Sequence, residues 1–409
     1  MSTKQNGRAV VFGAGSVGRG FLGQLFSESG YEVVFVDVVE PLLQALNTGS
    51  YTLRLAGVAV TEELIIRSVR AVDGRDLDRV AHEVASADVL ATAVGARVLQ
   101  AIAKPIAAGL ALRWASGVSD PVNVIICENL HDAPNLLRGY VLDSIAEELR
   151  QNVAERVGFV PAVIARMSPV PTEEQQAADP ALIVAEPYKV LPVDRDAFVG
   201  AIPDVIGMEP VSPFGAYVDR KLYMHNASHA MLGYLGYQRG YEFGYQSLDD
   251  PMIYRLVQEA LGESLGALVA EHGFGRVELR EHIQDLLTRF RNRALGDPVA
   301  RLARDPLRKL APDDRLVGAA KLAEKHGIRP SGLSWGIAAA LLYDNPADPM
   351  AVTLQKRVGA SGVRKVLDEV CGIRHGEVLG DLVVERLDAL RDGRVWQSQD
   401  FAMNTEKGI

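Results

Sequence analysis

The sequence predicts an α/β fold class, with an N-terminal Rossmann-type doubly wound domain followed by a mainly α-helical C-terminal domain. Three observations support this prediction. Short β-branched runs alternate with helical segments in the first half of the chain, and a glycine-rich turn joins the first such run to the first helical segment. From about residue 219 onward, apolar residues recur at helical spacing with no convincing strand. Alternating strands and helices are typical of a parallel sheet covered on both faces.

Four apolar runs in the first half are interpreted as buried strands, because they are short and rich in β-branched residues. They are RAVVFG (8–13), YEVVFVDV (31–38), ADVLATAVG (87–95) and VNVIICEN (122–129). A helix is predicted after the first strand, with Gly30 as its stop. A second helix is predicted from VLQAIAKPIAAGLALRW, in which Pro105 is expected to kink or split the helix.

The second half is predicted to be nearly all helical. The clearest helical segments are MIYRLVQEALGESLGALVAEHG (252–273), HIQDLLTRFRNR (282–293) and WGIAAALLY (335–343). The change of pattern places a domain boundary in the Pro- and Gly-rich stretch GMEPVSPFG (207–215). We therefore predict a nucleotide-binding domain over residues 1–212 and a substrate domain over residues 213–409.

Composition limits the classes of partner. The 409 residues carry a net charge of −9, which argues against nucleic acid or an anionic membrane as the main partner but allows a small phosphorylated substrate. Two cysteines, Cys127 and Cys371, disfavour a disulfide framework. We expect no signal peptide, since the first residues lack a long apolar core, and no membrane span, since no run approaches roughly 18 apolar residues. We expect a soluble cytoplasmic protein.

The turn VVFGAGSVGRGF has the pattern G-x-G-x-x-G at Gly13, Gly15 and Gly18. The first glycine permits a tight turn, the second lets a pyrophosphate approach the backbone, and the third lets the helix pack closely on the sheet. The phosphates would lie at a helix N-terminus. Asp37 ends the next predicted strand, 19 residues after Gly18, where a carboxylate can bind a ribose hydroxyl and repel a 2′-phosphate. NAD is therefore favoured over NADP. The alternatives are a turn that merely needs glycines and an acid at a solvated strand end.

We expect the cofactor to contact this turn, the acid after the second strand, and the end of the ADVLATAVG strand. The reason is that the carboxyl ends of parallel strands line the cofactor crevice. The candidate cofactor-binding residues are Val10, Phe12, Gly13, Ala14, Gly15, Ser16, Val17, Gly18, Arg19, Asp37, Ala93, Val94 and Gly95.

The segment KLYMHNASHA (221–230) combines a lysine, two histidines and an asparagine. On an α-helix, these four side chains would share one side, within an arc of roughly 140°: Lys221, His225, Asn226 and His229. A zinc site is disfavoured, because no third ligand is evident and the Glu of H-E-x-x-H is missing. A lysine can act as a base near neutral pH when burial or a positive neighbour lowers its pKa. The alternative is a solvated lysine beside packed histidines.

Four separated segments together resemble the polyol-specific long-chain dehydrogenases of the mannitol dehydrogenase family, which are metal-independent. They are GAGSVGRGF, ICEN, RKLYMHNASHAMLGYLG and RFRNRALGDPVARLARDPLRKLAPDDRL, and the resemblance extends over roughly residues 8–345. It implies a Rossmann domain followed by a helical domain, NAD as the cofactor, and interconversion of D-mannitol 1-phosphate and D-fructose 6-phosphate.

The family pattern K-x-x-x-x-N-x-x-H falls on Lys221, Asn226 and His229. By resemblance, Lys221 is the general base in alcohol oxidation and the general acid in the reverse reaction. Asn226, together with Asn129 of ICEN, would stabilise the reacting oxygen, and His229 would orient a substrate hydroxyl. His225 lies outside the pattern and is interpreted as incidental.

Two basic residues in PLRKL, Arg308 and Lys309, are candidates for binding the substrate phosphate. Arg301, Arg304 and Arg315 lie nearby in the sequence, and a basic helix face is the alternative interpretation. Residues 163–194 align poorly with the family pattern, so their role and the choice of substrate stay open.

Several alternatives for the function are kept. A relative acting on unphosphorylated mannitol (a mannitol 2-dehydrogenase) or on a hexuronate is the nearest. A non-catalytic NAD-binding regulator and a zinc hydrolase belong to other classes. The expected partner is a small molecule, with no nucleic acid and no membrane, and the expected oligomeric state is a monomer.

Overall fold

The computed structural model describes residues 7–130, 132–169 and 171–397. The chain divides into two compact units between Tyr217 and Val218. The boundary predicted from the sequence lies after residue 212, just past a strand that ends at Val211. The observed division lies instead within the following helix, which begins at Phe214.

Eleven strands are present in the described part of the first unit, and six of them form one parallel sheet in the order β5-β2-β1-β6-β7-β8. A second sheet has the order β4-β3-β9, and β10 pairs with β11. The strands are β1 (Arg8–Phe12), β2 (Glu32–Asp37), β3 (Ser50–Ala56), β4 (Thr61–Arg67), β5 (Val69–Asp73), β6 (Val89–Thr92), β7 (Val122–Ile126), β8 (Val157–Pro161), β9 (Ile183–Ala185), β10 (Leu191–Asp194) and β11 (Met208–Val211).

Helices join these strands, and a π turn over Gly18–Leu22 precedes the first of them. Short 3₁₀ turns occur at Glu147–Leu149 and Arg195–Ala197. The helices of the first unit are α1 (Gly23–Glu28), α2 (Glu40–Leu46), α3 (Leu77–Ala85), α4 (Leu99–Ala115), α5 (Ala133–Ser144), α6 (Arg150–Arg156) and α7 (Glu173–Ala178).

Strand β1 shows why the six-stranded sheet is covered on both faces. Ala9 and Val11 belong to one hydrophobic core, whereas Val10 and Phe12 belong to another, and all four side chains are fully buried. Successive side chains of a strand point to opposite faces, so a run that is apolar at every position requires two cores. The predicted doubly wound fold is confirmed.

Three details refine or extend the prediction. Pro105, expected to kink or split its helix, does not split it, since α4 is continuous from Leu99 to Ala115, and Pro105 is itself buried there. Packing of this helix against its neighbours outweighs the hydrogen bond that proline lacks. Strands β5 and β8 of the main sheet were not predicted, and neither was the antiparallel pair of β3 and β4.

The second unit is helical, and its described residues form no strand apart from one isolated bridge between Phe243 and Pro298. A π turn covers Lys221–Asn226, and a 3₁₀ turn covers Arg293–Leu295. The helices, beginning with the one that spans the division, are α8 (Phe214–Arg220), α9 (Ala227–Gln238), α10 (Gly244–Asp249), α11 (Pro251–His272), α12 (Arg276–Phe290), α13 (Val299–Ala303), α14 (Pro306–Lys309), α15 (Val317–Lys325), α16 (Ser331–Leu341), α17 (Pro349–Ser361), α18 (Val363–Glu369), α19 (Val378–Arg391) and α20 (Arg394–Gln397).

Helix α9 forms the centre of the second unit. Met231, Leu232, Tyr234 and Leu235 are fully buried, so its middle is enclosed on several sides, as expected for a core helix. Helices α13 and α16 both pack on α9. This packing fixes the turn that begins at Lys221. In the described ranges, no helix has both the length and the apolar character needed to cross a membrane.

Candidate active site

The glycine-rich turn has the geometry expected of a phosphate-binding turn. Gly13 has a φ of +90°, and a Cβ there would lie 2.5 Å from the Ala93 carbonyl oxygen. A Cβ at Gly18 would overlap the carbonyl oxygen of Gly13, so the helix approaches the strand closely. At Gly15, no described atom outside the immediate chain lies within 4 Å of the corresponding Cβ position. The turn is therefore tight on the protein side and open beside its second glycine, as the predicted approach of a pyrophosphate requires.

Arg19, predicted to bind the cofactor, directs its guanidinium at the protein. Its Nε donates to the Ala14 carbonyl at 2.5 Å, and its Nη1 donates to the Ala181 carbonyl at 2.5 Å. Burial lowers the pKa of this guanidinium, although an arginine stays protonated at neutral pH. The side chain thus links the glycine-rich turn to the loop before β9. This loop belongs to the poorly aligned segment 163–194, so part of that segment supports the glycine-rich turn.

Asp37 lies at the end of β2, beside the glycine turn. Its Oδ2 accepts a hydrogen bond from the Ala14 backbone N–H at 2.7 Å. Its Oδ1 accepts from the N–H groups of Val38 at 2.7 Å and Val39 at 3.2 Å. The carboxylate that would meet a ribose hydroxyl therefore also holds the turn in place, a second role that sequence reasoning missed.

Glu128 was not predicted, yet its carboxylate connects two strand ends at the same edge of the sheet. Oε2 accepts from the Thr92 hydroxyl at 2.6 Å, and Oε1 accepts from the Val94 N–H at 3.0 Å. The side chain is buried, and burial raises its pKa. Asn129, the predicted amide donor, is the next residue and is exposed. The signal that could have found Glu128 is an ionisable residue two positions after a strand that is buried throughout.

The segment that begins at Lys221 is a π turn, and the α-helical arrangement predicted for it is wrong. The Ala227 N–H bonds to the carbonyl of Leu222, five residues earlier. A wider turn brings residues five apart closer to one side of the helix than the roughly 140° of an α-helix, and Lys221 and Asn226 are five apart. The two side chains share a side more closely than an α-helix would allow. The described chain contains two π turns, this one and Gly18–Leu22, and both fall on segments predicted to bind or react.

Lys221 is half-buried, and its pKa is lowered to about 8. Burial of the ammonium is the largest cause, the guanidinium groups of Arg315 and Arg308 add to it, and the carboxylate of Asp314 opposes it. A lysine with this pKa is partly neutral near pH 7 and can accept a proton, unlike a free lysine.

His229 is held by an aromatic ring and a carboxylate. Its imidazole stacks on Phe290, with ring centroids 4.7 Å apart and planes 8° apart. Its Nε2 lies 3.5 Å from Oδ2 of Asp297, whose Oδ1 accepts from Arg301 at 2.9 Å. Burial, followed by the charge of Arg301, lowers the pKa of His229 to about 3. The imidazole is therefore neutral at physiological pH and presents one donor and one acceptor nitrogen.

His225 is buried and packs edge-on against both His229 and Phe290. This position agrees with its interpretation as a packing residue. Within the described ranges, no group of three or more His, Cys, Asp or Glu side chains is arranged to hold a metal ion.

The two predicted phosphate ligands differ sharply in environment. Arg308 is exposed, and its guanidinium lies 3.1 Å from Asp305 and 3.7 Å from Asp314. Lys309 is buried, and its ammonium donates to the carbonyl of Leu302. Burial lowers the pKa of Lys309 to about 7. Arg308 is therefore the accessible cation of the pair.

The other nearby basic residues also divide by exposure. Arg301 and Arg304 are exposed, whereas Arg315 is buried and pairs with Asp314 at 2.6 Å. Asp305 has a φ of +62°, in the left-handed region that a non-glycine residue rarely adopts. Its carboxylate accepts from both the backbone N–H and the Nε of Arg308, so this strained turn fixes the arginine.

Two family models match this chain. The model described as the mannitol dehydrogenase Rossmann domain matches residues 7–207. The model described as the mannitol dehydrogenase C-terminal domain matches residues 214–390. Together they cover both compact units and all the residues placed above.

Individual proteins show the same likeness. The chain is 39% identical over 378 residues to the mannitol-1-phosphate 5-dehydrogenase of Geobacillus thermodenitrificans, covering 91% of this chain and 96% of that one. It is 38% identical over 382 residues to the Bacillus subtilis enzyme of the same name, covering 93% and 99%. Among solved structures, Pseudomonas fluorescens mannitol 2-dehydrogenase in complex with NAD and D-mannitol matches with a TM-score of 0.75 at 19% identity, covering 97% of this chain and 94% of that one. A D-sorbitol dehydrogenase matches with a TM-score of 0.79 at 17% identity, covering 96% of each chain. At these identities the two structures show the fold.

Proposed function

Because the chain belongs to the mannitol dehydrogenase family, we propose that it is an NAD-dependent oxidoreductase that interconverts D-mannitol 1-phosphate and D-fructose 6-phosphate. The observation that carries the proposal is the 38% identity to the Bacillus subtilis mannitol-1-phosphate 5-dehydrogenase over 93% of this chain. The positive neighbours of Lys221, Arg308 and Arg315, agree with it, because together with burial they lower the pKa of the lysine and Arg308 is exposed.

NAD fits the residues of the first unit. The open space beside Gly15 and the carboxylate of Asp37 provide for a pyrophosphate and a ribose hydroxyl. The turn from Gly13 to Gly18 and the segment Ala93–Gly95 would hold the cofactor. Bound there, NAD would supply the hydride acceptor for oxidation of the alcohol carbon, and NADH the hydride donor for the reverse reaction.

Lys221 supplies the proton chemistry. As a neutral amine it takes the hydroxyl proton during oxidation, and as an ammonium it returns the proton to the carbonyl oxygen during reduction. Asn226, five residues further along the π turn, donates its amide N–H to the same oxygen and stabilises the developing negative charge. Asn129 is proposed as a second amide donor. The neutral imidazole of His229 binds a neighbouring substrate hydroxyl.

Arg308 binds the substrate phosphate. Its guanidinium is exposed, lies close enough to Lys221 to lower the pKa of that lysine, and can form a bidentate contact. Buried Lys309 and Arg315 add positive charge nearby, since besides burial Arg315 and Arg308 both lower the pKa of Lys309. Since Lys221 provides the base, the reaction needs no metal ion. We also propose that the protein is a monomer and acts in the cytoplasm.

The test is NADH formation from NAD⁺ with either mannitol 1-phosphate or free mannitol, in EDTA, at neutral to mildly alkaline pH. We expect turnover with the phosphate ester only. Turnover with free mannitol would support a mannitol 2-dehydrogenase instead, and loss of activity in EDTA would contradict metal independence.

Lys221→Ala separates the enzyme from a non-catalytic regulator. It should reduce turnover at least a hundredfold, the lower end of general acid–base contributions, with NADH binding nearly unchanged. Lys365→Ala, at an exposed lysine near Glu369, is the control and should keep full activity. Retention of more than a tenth of the rate in Lys221→Ala would reject Lys221 as the base.

A further inference from the structure

Glu128 is a buried carboxylate that the proposed chemistry does not use. It follows β7, in which every residue is buried, and it is itself buried. An apolar residue would suit such a position without desolvating a charge. The carboxylate is nevertheless present, with the Thr92 hydroxyl on one oxygen and the Val94 N–H on the other.

Both donors lie at the end of the neighbouring strand β6, where the chain enters the segment Ala93–Gly95. The opposite side of this segment is held by β1, since the Ala93 N–H donates to the Phe12 carbonyl at 2.8 Å and the Ala93 carbonyl abuts Gly13. The segment is therefore fixed from two sides, by the strand that carries the glycine turn and by Glu128.

Glu128 also precedes Asn129 in the sequence. A side chain with both carboxylate oxygens bonded restricts the backbone at its own residue. The restriction extends to the Cα–Cβ direction of Asn129, the exposed amide at the same strand end. One carboxylate thus constrains both a proposed cofactor-binding segment and a proposed amide donor.

We propose that Glu128 is a positioning residue, which holds the segment Ala93–Gly95 and Asn129 in the arrangement that binds the nicotinamide half of the cofactor. This inference rests on the proposed function. It adds a residue that touches neither the polyol nor the reacting atoms and acts through its neighbours.

Three variants test it. Glu128→Ala removes both acceptors, so the partly buried Val94 N–H loses its side-chain partner. Glu128→Gln can still accept from Val94 with its amide oxygen and donate to Thr92, whose hydroxyl can rotate to accept. Glu263→Ala is the matched control, because Glu263 is another buried carboxylate that accepts from two backbone N–H groups, those of Gly332 and Leu333.

The measurements are NADH affinity by fluorescence, kcat and KM for NAD, and thermal unfolding without cofactor. We expect Glu128→Ala to weaken NADH binding and raise KM for NAD about tenfold, equivalent to about 1.4 kcal/mol, and to lower kcat. Glu128→Gln should stay within about threefold of the wild type. Glu263→Ala should lower the unfolding temperature and leave NADH affinity unchanged.

Two outcomes would overturn the inference. If Glu128→Ala resembles Glu263→Ala, with lower stability and unchanged NADH affinity and kcat, Glu128 is only a structural residue and the inference is wrong. If Glu128→Ala does not fold, Thr92→Val, which removes one of the two donors, should give a smaller loss of NADH affinity, and an unchanged affinity there would also overturn the inference. NADH binding is measured without a polyol. A failure of the proposed substrate would therefore show up separately, as absent turnover in the wild type.

Discussion

The imidazole of His229 lies parallel to the phenyl ring of Phe290, with centroids 4.7 Å apart and an interplanar angle of 8°. This stacking and the nearby carboxylate of Asp297 together fix the plane of a neutral imidazole. Phe290→Leu removes the aromatic face but keeps a branched apolar side chain at this position. An aromatic pair contributes about 0.5–1.5 kcal/mol, so we expect a roughly two- to tenfold higher KM for the polyol.

The control for this variant is Phe243→Leu, because Phe243 also stacks on an aromatic ring, that of Tyr245, at 5.6 Å and 7°. Steady-state kinetics with the polyol phosphate should leave the KM of this control unchanged. Equal increases in both variants would mean that the effect comes from general destabilisation and not from the orientation of His229.

The pH dependence of oxidation should report the pKa of Lys221. Since the neutral amine is the base, kcat/KM for the polyol should rise with pH and level off above about 8. Reduction needs the ammonium form and should fall above the same pH. Arg315→Gln removes a positive neighbour, so it should shift the oxidative profile to higher pH.

Asp314→Asn should shift the same profile in the opposite direction, because the carboxylate of Asp314 raises the pKa of Lys221. The measurement is the pH profile of kcat/KM for both variants. Shifts of both in one direction would exclude Lys221 as the titrating group.

Asp37 should decide between NAD and NADP. Asp37→Asn removes the charge that repels a 2′-phosphate, so the ratio of kcat/KM for NAD to that for NADP should fall about tenfold or more. The KM for NAD should also rise, since the carboxylate holds the Ala14 N–H of the glycine turn. Asp73→Asn, at the end of the adjacent strand β5, pairs in register with Asp37 and serves as the control. An unchanged cofactor preference in Asp37→Asn would reject the ribose contact.

Arg308→Gln tests the phosphate contact. Loss of a charge-assisted hydrogen bond is worth about 1.5–3 kcal/mol, so kcat/KM for mannitol 1-phosphate should fall at least tenfold. The KM for NAD should stay constant. Arg304→Gln, at an exposed arginine of the same segment, distinguishes a specific contact from the general field. Equal losses of kcat/KM in the two variants would mean that Arg308 acts only through the general positive potential and not through a contact with the phosphate.

Glu263 should make the stability of the second unit depend on pH. Burial raises its pKa from 4.5 to about 7, so between these values the folded state retains a proton that the unfolded state has released. The free energy of unfolding should therefore fall as pH rises through this window, by up to about 3 kcal/mol, and stay level above it. Glu263→Gln should flatten this dependence in chemical denaturation.

Glu271 provides a contrast of opposite sign. Hydrogen bonds from Lys325 and His326 lower its pKa to about 2. Its contribution to the free energy of unfolding should be present above pH 4.5 and be lost as the pH falls towards 2.

The assignment to Glu263 can also fail. It would be contradicted if the stability of the wild type rose with pH between 4.5 and 7 and that of Glu263→Gln rose equally.

Much of the first unit could be predicted because its signals are local. Strand β1 is apolar at every position after Arg8, and such a run has few solutions other than a strand buried on both faces. Gly13 and Gly18 each have a steric reason to lack a side chain. By contrast, β4 mixes exposed glutamates with leucine and isoleucine, so its sequence has no clear alternation of apolar and polar residues. Its pairing with β3 could not be predicted for that reason.

The candidate site was only partly predictable. Lys221, Asn226 and His229 were found by their spacing in one segment, and their roles remain a proposal. The same residues fit an α-helix equally well, so the π turn could not be predicted from the sequence. Lys309 is adjacent to Arg308 in the sequence, yet one side chain is buried and the other exposed.

By itself, the sequence determined the doubly wound first domain, the helical second domain, the tight glycine-rich turn and the family resemblance, because each depends on residues close together in the chain. Only the tertiary structure decided the partners of those residues. Glu128 meets Val94 across 34 positions, and His229 meets Asp297, which lies in the loop before α13. Burial and neighbouring charge, which set the pKa of Lys221, come from residues that no local pattern connects. The physical reason is that desolvation and Coulomb interactions depend on distance in space and not on distance along the chain.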